Sequence, residues 1–354
     1  MSPSAMTESV DTASELAPLE HEWDELASRI GASPFMRPGW IGAWWRAFGA
    51  GKLAVLAVRR QDRLAGVLPL ASHRGALVSL TNWHTPEFAP IAEDEGTLDE
   101  LIEAALARTR VRLDLSFLYE DSAVAGTCAR LGRTAGFRIL AREAQRSPYL
   151  ETTDDWASFE SGLPSRKTSK YRRFRRRLDE QGQVSVEALD GGDRLAELLH
   201  EGFEVEAAGL EGRPGEAILA RPETTRFYSE VAEWAAERGW LRLWFLRLDG
   251  VPIAFGYGLE HDGVFWDLKL GHDPGYARFG PGVLLMEDRI RHAFTSPLER
   301  FEFLGEAERH KLDWTDAVHV KQRFQAFAPT IGGAVNRIAW QRGRPILKRL
   351  QRHS

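Results

Sequence analysis

The sequence predicts an α/β (α+β) fold built from two tandem modules, each a mixed, largely antiparallel sheet flanked by helices. Three observations carry this. Apolar residues recur at helical spacing in long stretches and at alternate positions in short ones. Two segments share one pattern: Leu53–Leu70 reads strand, turn, Leu-Ala-Gly, strand ending Val-Leu-Pro-Leu, and Leu241–Leu259 reads strand, Leu-Asp-Gly-Val-Pro-Ile-Ala, strand. Around each, the order helices, antiparallel hairpin, further strand, helix, strand is repeated. At 354 residues the chain is also long for one core.

Residues 1–15 are Ser/Thr/Glu-rich and read as a disordered leader without a signal pattern. The first module spans 16–150. Pro18–Ile30 places Leu19, Trp23, Leu26 and Ile30 on one helical face, and Pro38–Phe48 is a second helix rich in Trp. Leu53–Arg59 and Leu64–Leu70 pair through Gln61-Asp62, and Leu77–Leu80 is a further strand. Helix Leu98–Ala107, strand Arg112–Leu118, helix Ala123–Ala135 and strand Phe137–Ala141 complete the module.

The second module spans 151–330. A short helical entry at Trp156–Phe159 precedes a basic helix from Ser165 to Gln181. Strand Gln183–Ala188, helix Arg194–Ala207, a Gly-rich loop at 209–215 and helix Glu223–Arg238 follow. Asp249-Gly250 between two apolar runs marks a hairpin of Leu241–Leu248 and Ile253–Glu260. Val264–Leu270 is the third strand, a helix opens near Gly282, and Phe301–Leu304 and Arg323–Ala328 are strands. Residues 331–354 form a basic amphipathic tail.

Composition narrows the function. Net charge is −5, so the whole molecule is no general nucleic-acid binder and DNA is not an expected partner. The only cysteine, Cys128, lies among small residues and reads as buried filler; multi-cysteine metal sites are excluded, and no metal is expected. No apolar run reaches the ~20 residues that span a bilayer, which points to a cytoplasmic protein, peripheral at most at the inner membrane surface.

The stretch Trp266–Arg291 is the most informative. Strand, Gly/Pro-rich loop and helix follow one another, with glycines at 275, 280 and 282. Such glycines allow close backbone approach, and a helix N-terminus offers unpaired N–H groups to phosphate.

Five segments carry a family resemblance: P-F-M-R-P-G-W-I-G-A-W-W at 34–45, S-R-K-T-S-K-Y-R-R-F-R-R-R-L at 165–178, E-A-A-G-L-E-G-R-P-G-E-A-I at 206–218, L-D-G-V-P-I-A-F through G-Y-A-R-F-G-P-G-V-L-L, and F-E-F-L-G-E-A-E-R-H-K at 301–311. In this order they resemble the acetyltransferase domain of CelD/BcsL-like proteins of cellulose biosynthesis, in the GNAT superfamily and related to Fem-type aminoacyltransferases. The resemblance implies a pair of GNAT-like modules, the first degenerate. It implies acetyl- or another acyl-coenzyme A as donor, its pyrophosphate held by the loop around Arg278, Phe279, Gly280, Gly282 and Val283. The loop departs from the family register: Ala277 stands where a basic residue is usual, and Pro281 removes one N–H. Leu210-Glu211 also replace the usual Trp-Lys pair.

Acyl transfer needs a base for the acceptor and an acid for the leaving group. Asp267 on the central strand and Glu306 past the F-E-F-L-G strand are candidate bases, and Tyr276 a candidate acid. Glu206, Arg213, His272 and Lys311 are candidate acceptor-binding residues, and in the first module Asn82, His84 and Glu87 line a loop after a strand. Residues 166–177 hold eight cations and no acid, a density that favours a polyanion over a merely solvated face. An anionic polymer or membrane surface is an expected partner for this helix and the tail; the tail also has the pattern of a helix that packs back on its domain. Three readings stay open: acyltransfer to an amine or hydroxyl of a glycan precursor, polysaccharide or small metabolite; Fem-type transfer from aminoacyl-tRNA; and non-catalytic binding of an anionic glycan or membrane.

Overall fold

The computed structural model describes residues 6–10, 16–209 and 217–350. In chain order the elements are β1 (Met6–Val10), α1 (Ala17–Arg29), α2 (Pro38–Phe48), β2 (Lys52–Arg60), β3 (Arg63–His73), β4 (Ala76–Ser79), β5 (Ile91–Ala92), α3 (Glu95–Arg108), β6 (Arg112–Tyr119) and α4 (Ala123–Thr134). There follow β7 (Arg138–Glu151), α5 (Trp156–Gly162), α6 (Ser165–Asp179), β8 (Val184–Leu189), α7 (Leu195–Gly209), α8 (Pro222–Glu237), β9 (Leu241–Leu248), β10 (Val251–His261) and β11 (Val264–His272). The chain ends with α9 (Pro281–Thr295), β12 (Arg300–Glu302), α10 (Arg309–Leu312), β13 (Val318–Phe327) and α11 (Ile331–Leu350). Two compact units result: Met1–Arg146 with Val320–Ser354, and Ser147–His319.

In the first unit the strands neighbour one another as β1-β2-β3-β4-β6-β13, and all pairs are antiparallel except β4 with β6. In the second the order is β8-β9-β10-β11-β12-β7, antiparallel except β11 with β12. One plan is therefore used twice: a hairpin-rich sheet with a single short parallel pair. The hairpins are set by local chemistry. Gln61 and Asp62 (φ 50° and 63°) turn β2 into β3, and Asp249 and Gly250 (φ 51° and 81°) turn β9 into β10, as a tight two-residue turn demands. Asp94 and Ser122 cap α3 and α4 through the N–H groups of Thr97 and Ala125.

Fully buried Trp23, Trp40, Phe35 and Phe88 anchor the first core, together with Cys128, whose thiol burial pushes up to about 12. In the second, Phe265, Leu284, Ile290 and Phe301 form the centre of an apolar cluster between the sheet and α9.

Two expectations change. Residues 6–10 of the expected disordered leader form β1, which pairs with β2 from Met6↔Arg59 to Val10↔Val55. The strand expected to end the second module, β13, pairs instead with β6 of the first unit, from Lys321↔Tyr119 to Phe327↔Arg112. The start of the tail packs on that same unit. Arg112 Nη1 donates to Asn336 (2.6 Å), and the Trp340 ring lies 4.9 Å from the Arg112 guanidinium and 4.5 Å from that of Arg323. Ile331, Val335 and Ile338 face outward.

Candidate active site

The second unit places its polar residues around a parting of strands. β11 and β12 pair for three residues only, Val264↔Arg300, Phe265↔Phe301 and Trp266↔Glu302. Beyond them β11 runs on to His272, while the other chain turns away through Leu304 and Gly305, both at positive φ (53° and 58°). A bulge lies opposite, where Tyr257 pairs with Lys269 but Gly258 pairs with Asp267, so Leu268 is the extra residue.

After β11 comes a tight turn. Asp273 accepts the N–H of Gly275 (2.7 Å), and a 3-10 helix over Pro274–Phe279 leads into α9. Gly280 sits in the left-handed region (φ 63°, ψ 45°) as the N-cap of α9, with no side chain capping the helix. A Cβ at Gly280 would lie 2.6 Å from the Phe174 ring of α6. Glycine is thus required by conformation and by space. The N–H of Val283 donates to the Gly280 carbonyl, whereas the Gly282 N–H has no partner among the described residues. Gly282 is buried beside His272, whose Nδ1 would lie 3.1 Å from a Cβ there. Burial holds the His272 imidazole below its ordinary pKa.

The basic helix α6 lies along this turn and has two different flanks. On one, Arg175 donates to both oxygens of Asp288 (2.8 Å each), and Arg172 lies 3.7 Å from Glu160. On the other, Arg166, Lys170, Arg173 and Arg177 recur at helical spacing with no acidic partner among the described residues. This second flank borders the turn: Arg177 lies 5.7 Å from the Phe279 ring and Lys170 5.5 Å from that of Phe174. Arg278 is exposed and lies 4.7 Å from the Phe279 ring. Lys167, by contrast, is folded under the helix 3.5 Å from the Trp314 ring, and burial lowers its ammonium to about 8.

Several residues expected at the site have other work. Asp267 is 6% exposed and accepts from Arg289 of α9 (2.6 Å), itself fully buried. Burial raises the Asp267 carboxyl against the pull of Arg289. A carboxylate so enclosed clamps α9 to β11, which corrects its expected role as a base to a positioning one. Glu206, 1% exposed, accepts the Ile218 N–H (3.0 Å) and lies 3.7 Å from Lys269, so it ties the end of α7 to the next turn rather than facing an acceptor. Burial raises its carboxyl as well. Lys311 donates to the Leu304 carbonyl (2.9 Å) and lies 3.6 Å from Glu308, so it braces the Leu304–Gly305 bend. Glu306 is exposed on that bend, and its carboxylate has no hydrogen-bond partner among the described residues. Tyr276 is half-buried on the apolar cluster, and Val283 packs there too. Arg213 lies outside the described residues. In the first unit His84 and Glu87 are buried, and Tyr119 donates its hydroxyl to Glu87.

One pair was not anticipated. Glu302, last in β12 at the point of parting, is 1% exposed, and its Oε1 lies 3.0 Å from His319 Nε2. Its Oε2 has no hydrogen-bond partner among the described residues, and Arg300 Nη1 stands 3.8 Å from Oε1. His319 is stacked on Tyr149 with ring centroids 4.0 Å apart. A buried carboxylate that orients a partly exposed imidazole is an arrangement suited to proton transfer. The sequence signal was available: Arg-Phe-Glu at 300–302 repeats Arg-Leu-Asp at 112–114 at the same place in the plan.

Among the described residues no group of three or more His, Cys, Asp and Glu is placed to hold a metal ion, and no helix is long and apolar enough to cross a membrane.

Residues 165–312 match the family model described as acetyltransferase (GNAT) domain, so the chain carries an acyltransferase domain of GNAT type. No curated protein matches the chain in sequence. Among solved structures, FemX is similar at TM-score 0.60 and 12% identity, over 90% of this chain and 96% of that one. The C-terminal domain of a putative lysylphosphatidylglycerol synthetase from Agrobacterium fabrum is similar at TM-score 0.58 and 12% identity, over 91% and 95%. At that identity the likeness is one of fold alone.

Proposed function

We propose that the second unit transfers an acyl group from acyl-coenzyme A, acetyl-coenzyme A foremost, to an amine or hydroxyl of a glycan precursor, polysaccharide or small metabolite, as CelD/BcsL-like proteins would. The observation that carries this is the start of α9. It is a helix N-terminus where, among the described residues, no side chain caps the helix, the Gly282 N–H has no partner, and the neighbouring flank of α6 meets no acid. Backbone donors, helix dipole and Lys170, Arg177 and Arg278 all favour a phosphate-bearing donor there. Phe279 and Val283 are the apolar neighbours of the phosphate turn.

The donor supplies an activated thioester. The acceptor nitrogen or oxygen bonds to the acyl carbon as the carbon–sulfur bond breaks, and the acceptor's proton is drawn off through His319, oriented by Glu302. The leaving sulfur takes up a proton. No covalent acyl-enzyme is needed, since no activated nucleophile lies among these residues.

A second reading, transfer from aminoacyl-tRNA, is favoured by one observation. The flank Arg166, Lys170, Arg173, Arg177 spans twelve residues, about 16 Å of helix from first to last, more than one pyrophosphate occupies. Calorimetric titration with coenzyme A, acetyl-coenzyme A and bulk aminoacyl-tRNA tests both. Binding of acetyl-coenzyme A with release of free coenzyme A in the presence of acceptor pools supports the first. No coenzyme A binding at about millimolar ligand, with tRNA binding instead, replaces it by the second.

A further inference from the structure

We propose that the first unit holds a separate site for a small carboxylate, in the cavity where its own parallel strands part. β4 and β6 pair at Ala76↔Arg112, Leu77↔Leu113 and Val78↔Asp114 and no further. Past that point the Ser116 N–H donates to Ser79 Oγ (3.0 Å) in place of a ladder bond, and Phe117 turns the strand at φ 62°. A cavity of about 190 Å³ opens there. Trp44, Phe48 and Val78 supply apolar wall; Arg112, Arg323 and Ser116 supply polar wall.

The polar wall is out of balance. Asp114, 2% exposed, accepts from Arg323 Nε and Nη2 (2.7 Å each) and from Gln325 (2.9 Å). Arg112 Nε is 2.9 Å from the same carboxylate but makes no hydrogen bond with it. Two guanidinium groups thus face one carboxylate whose oxygens are already engaged, leaving one net positive charge on the wall. Burial first, and repulsion from Arg323 as well, press the Arg112 guanidinium below its ordinary value.

A second donor is also left over. Trp44 is 7% exposed, lines the cavity, and its indole Nε1–H has no partner among the described residues. A buried donor without a partner costs about 1–3 kcal/mol, and one acceptor group between Trp44 and the arginines relieves that cost and balances the charge. One net positive charge suits a monoanion. The dianionic form of phosphate leaves a charge uncompensated against Trp44 and Phe48. The volume is below the ~300 Å³ at which pockets for drug-sized ligands begin, so the ligand is a compact acid, not a coenzyme. The assignment does not rest on the chemistry proposed for the second unit.

The test is calorimetric titration of the full chain with acetate, propionate, benzoate and inorganic phosphate, with melting temperatures measured in parallel. At least one carboxylate is expected to bind at about millimolar or better. Trp44→Phe, which removes the N–H and keeps a ring, should weaken it about tenfold, the worth of one hydrogen bond to a charged group. Val78→Phe, which fills the cavity, should abolish it. Both variants should melt within a few degrees of the parent, and acetyl-coenzyme A binding should be unchanged. No carboxylate response at about 20 mM overturns the site. So does a response to phosphate alone, or undiminished carboxylate binding in either folded variant.

Discussion

Asp114 and Glu302 hold the same place in the two units and meet different company. Each is the third and last residue of a short parallel pairing, each follows an arginine by two residues, and each is almost wholly buried. Asp114 is locked between Arg323, Gln325 and Arg112. Glu302 meets His319 and, at 3.8 Å, Arg300, and among the described residues keeps one oxygen without a hydrogen bond. The helix that follows the hairpin and third strand differs in the same sense. The N-terminus of α3 is occupied by its own Asp94, whereas that of α9 is left open by Gly280. In the duplicated plan, the carboxylate and the helix end are thus satisfied internally in one unit and left open in the other. Chemistry is expected where the groups remain unspent.

The largest effects should come from exchanging each carboxylate for its amide. Glu302→Gln keeps the shape and removes the charge that orients His319; kcat is expected to fall about 10²–10⁴-fold with the melting temperature little changed. Asp114→Asn leaves two partly exposed arginines without their buried carboxylate. Breaking such a pair costs about 3–5 kcal/mol, read as an earlier urea midpoint, while transfer per folded molecule stays near the parent value. If the two variants exchange these phenotypes, the assignment of chemistry to the second unit is wrong.

Next is the open helix end. Gly282→Glu puts a carboxylate against His272 in the first turn of the uncapped helix, where its charge competes with a donor phosphate for the helix end. Donor binding by calorimetry should be lost, with the circular dichroism spectrum intact. Retained binding would move the donor site elsewhere. A smaller effect is expected from the acid-free flank of α6. Lys170→Ala with Arg177→Ala should weaken donor binding about tenfold, and less as salt is raised. Arg172→Ala, on the acid-lined flank, should leave binding alone.

Much of this comparison was legible in the sequence. The two-residue turns at Gln61-Asp62 and Asp249-Gly250 announce their hairpins locally, and the uncapped Gly280–Gly282 segment is visible as a loop between strand and helix. What escaped depends on partners far along the chain. Asp267 looks free on its strand, yet it meets Arg289, 22 residues on, across a helix–sheet contact. Glu302 looks like one acid in an apolar strand, yet it meets His319, 17 residues on. The alternation of Arg323–Ala328 specifies a strand and not its neighbour, so the return of β13 to the first unit was unreadable. Lys311 reads as a charge ready for a ligand, but its ammonium is drawn to the carbonyls of a bend that only Leu304 and Gly305 at positive φ create.

The smallest predicted effect tests why the first unit's helix end is closed. Asp94 Oδ1 accepts the Thr97 N–H at 2.7 Å, and that bond is the main reason its carboxyl lies below the ordinary carboxylate value. A depressed carboxyl stabilises the fold above its unfolded pKa, and that stability is lost as pH falls through the folded one. Asp94→Ala should therefore cost about 1 kcal/mol near neutral pH. The difference from the parent, followed by urea melts, should shrink steadily below pH about 4 as the parent's own cap protonates. Opening α3 in this way should not create a second donor site, because Glu93 and Glu95 flank that end and the nearby Arg29 and Arg63 are paired with Glu93. Coenzyme A binding with a stoichiometry of two in Asp94→Ala would show that a missing cap alone separates the units, and that the cationic flank of α6 is not needed to hold a donor.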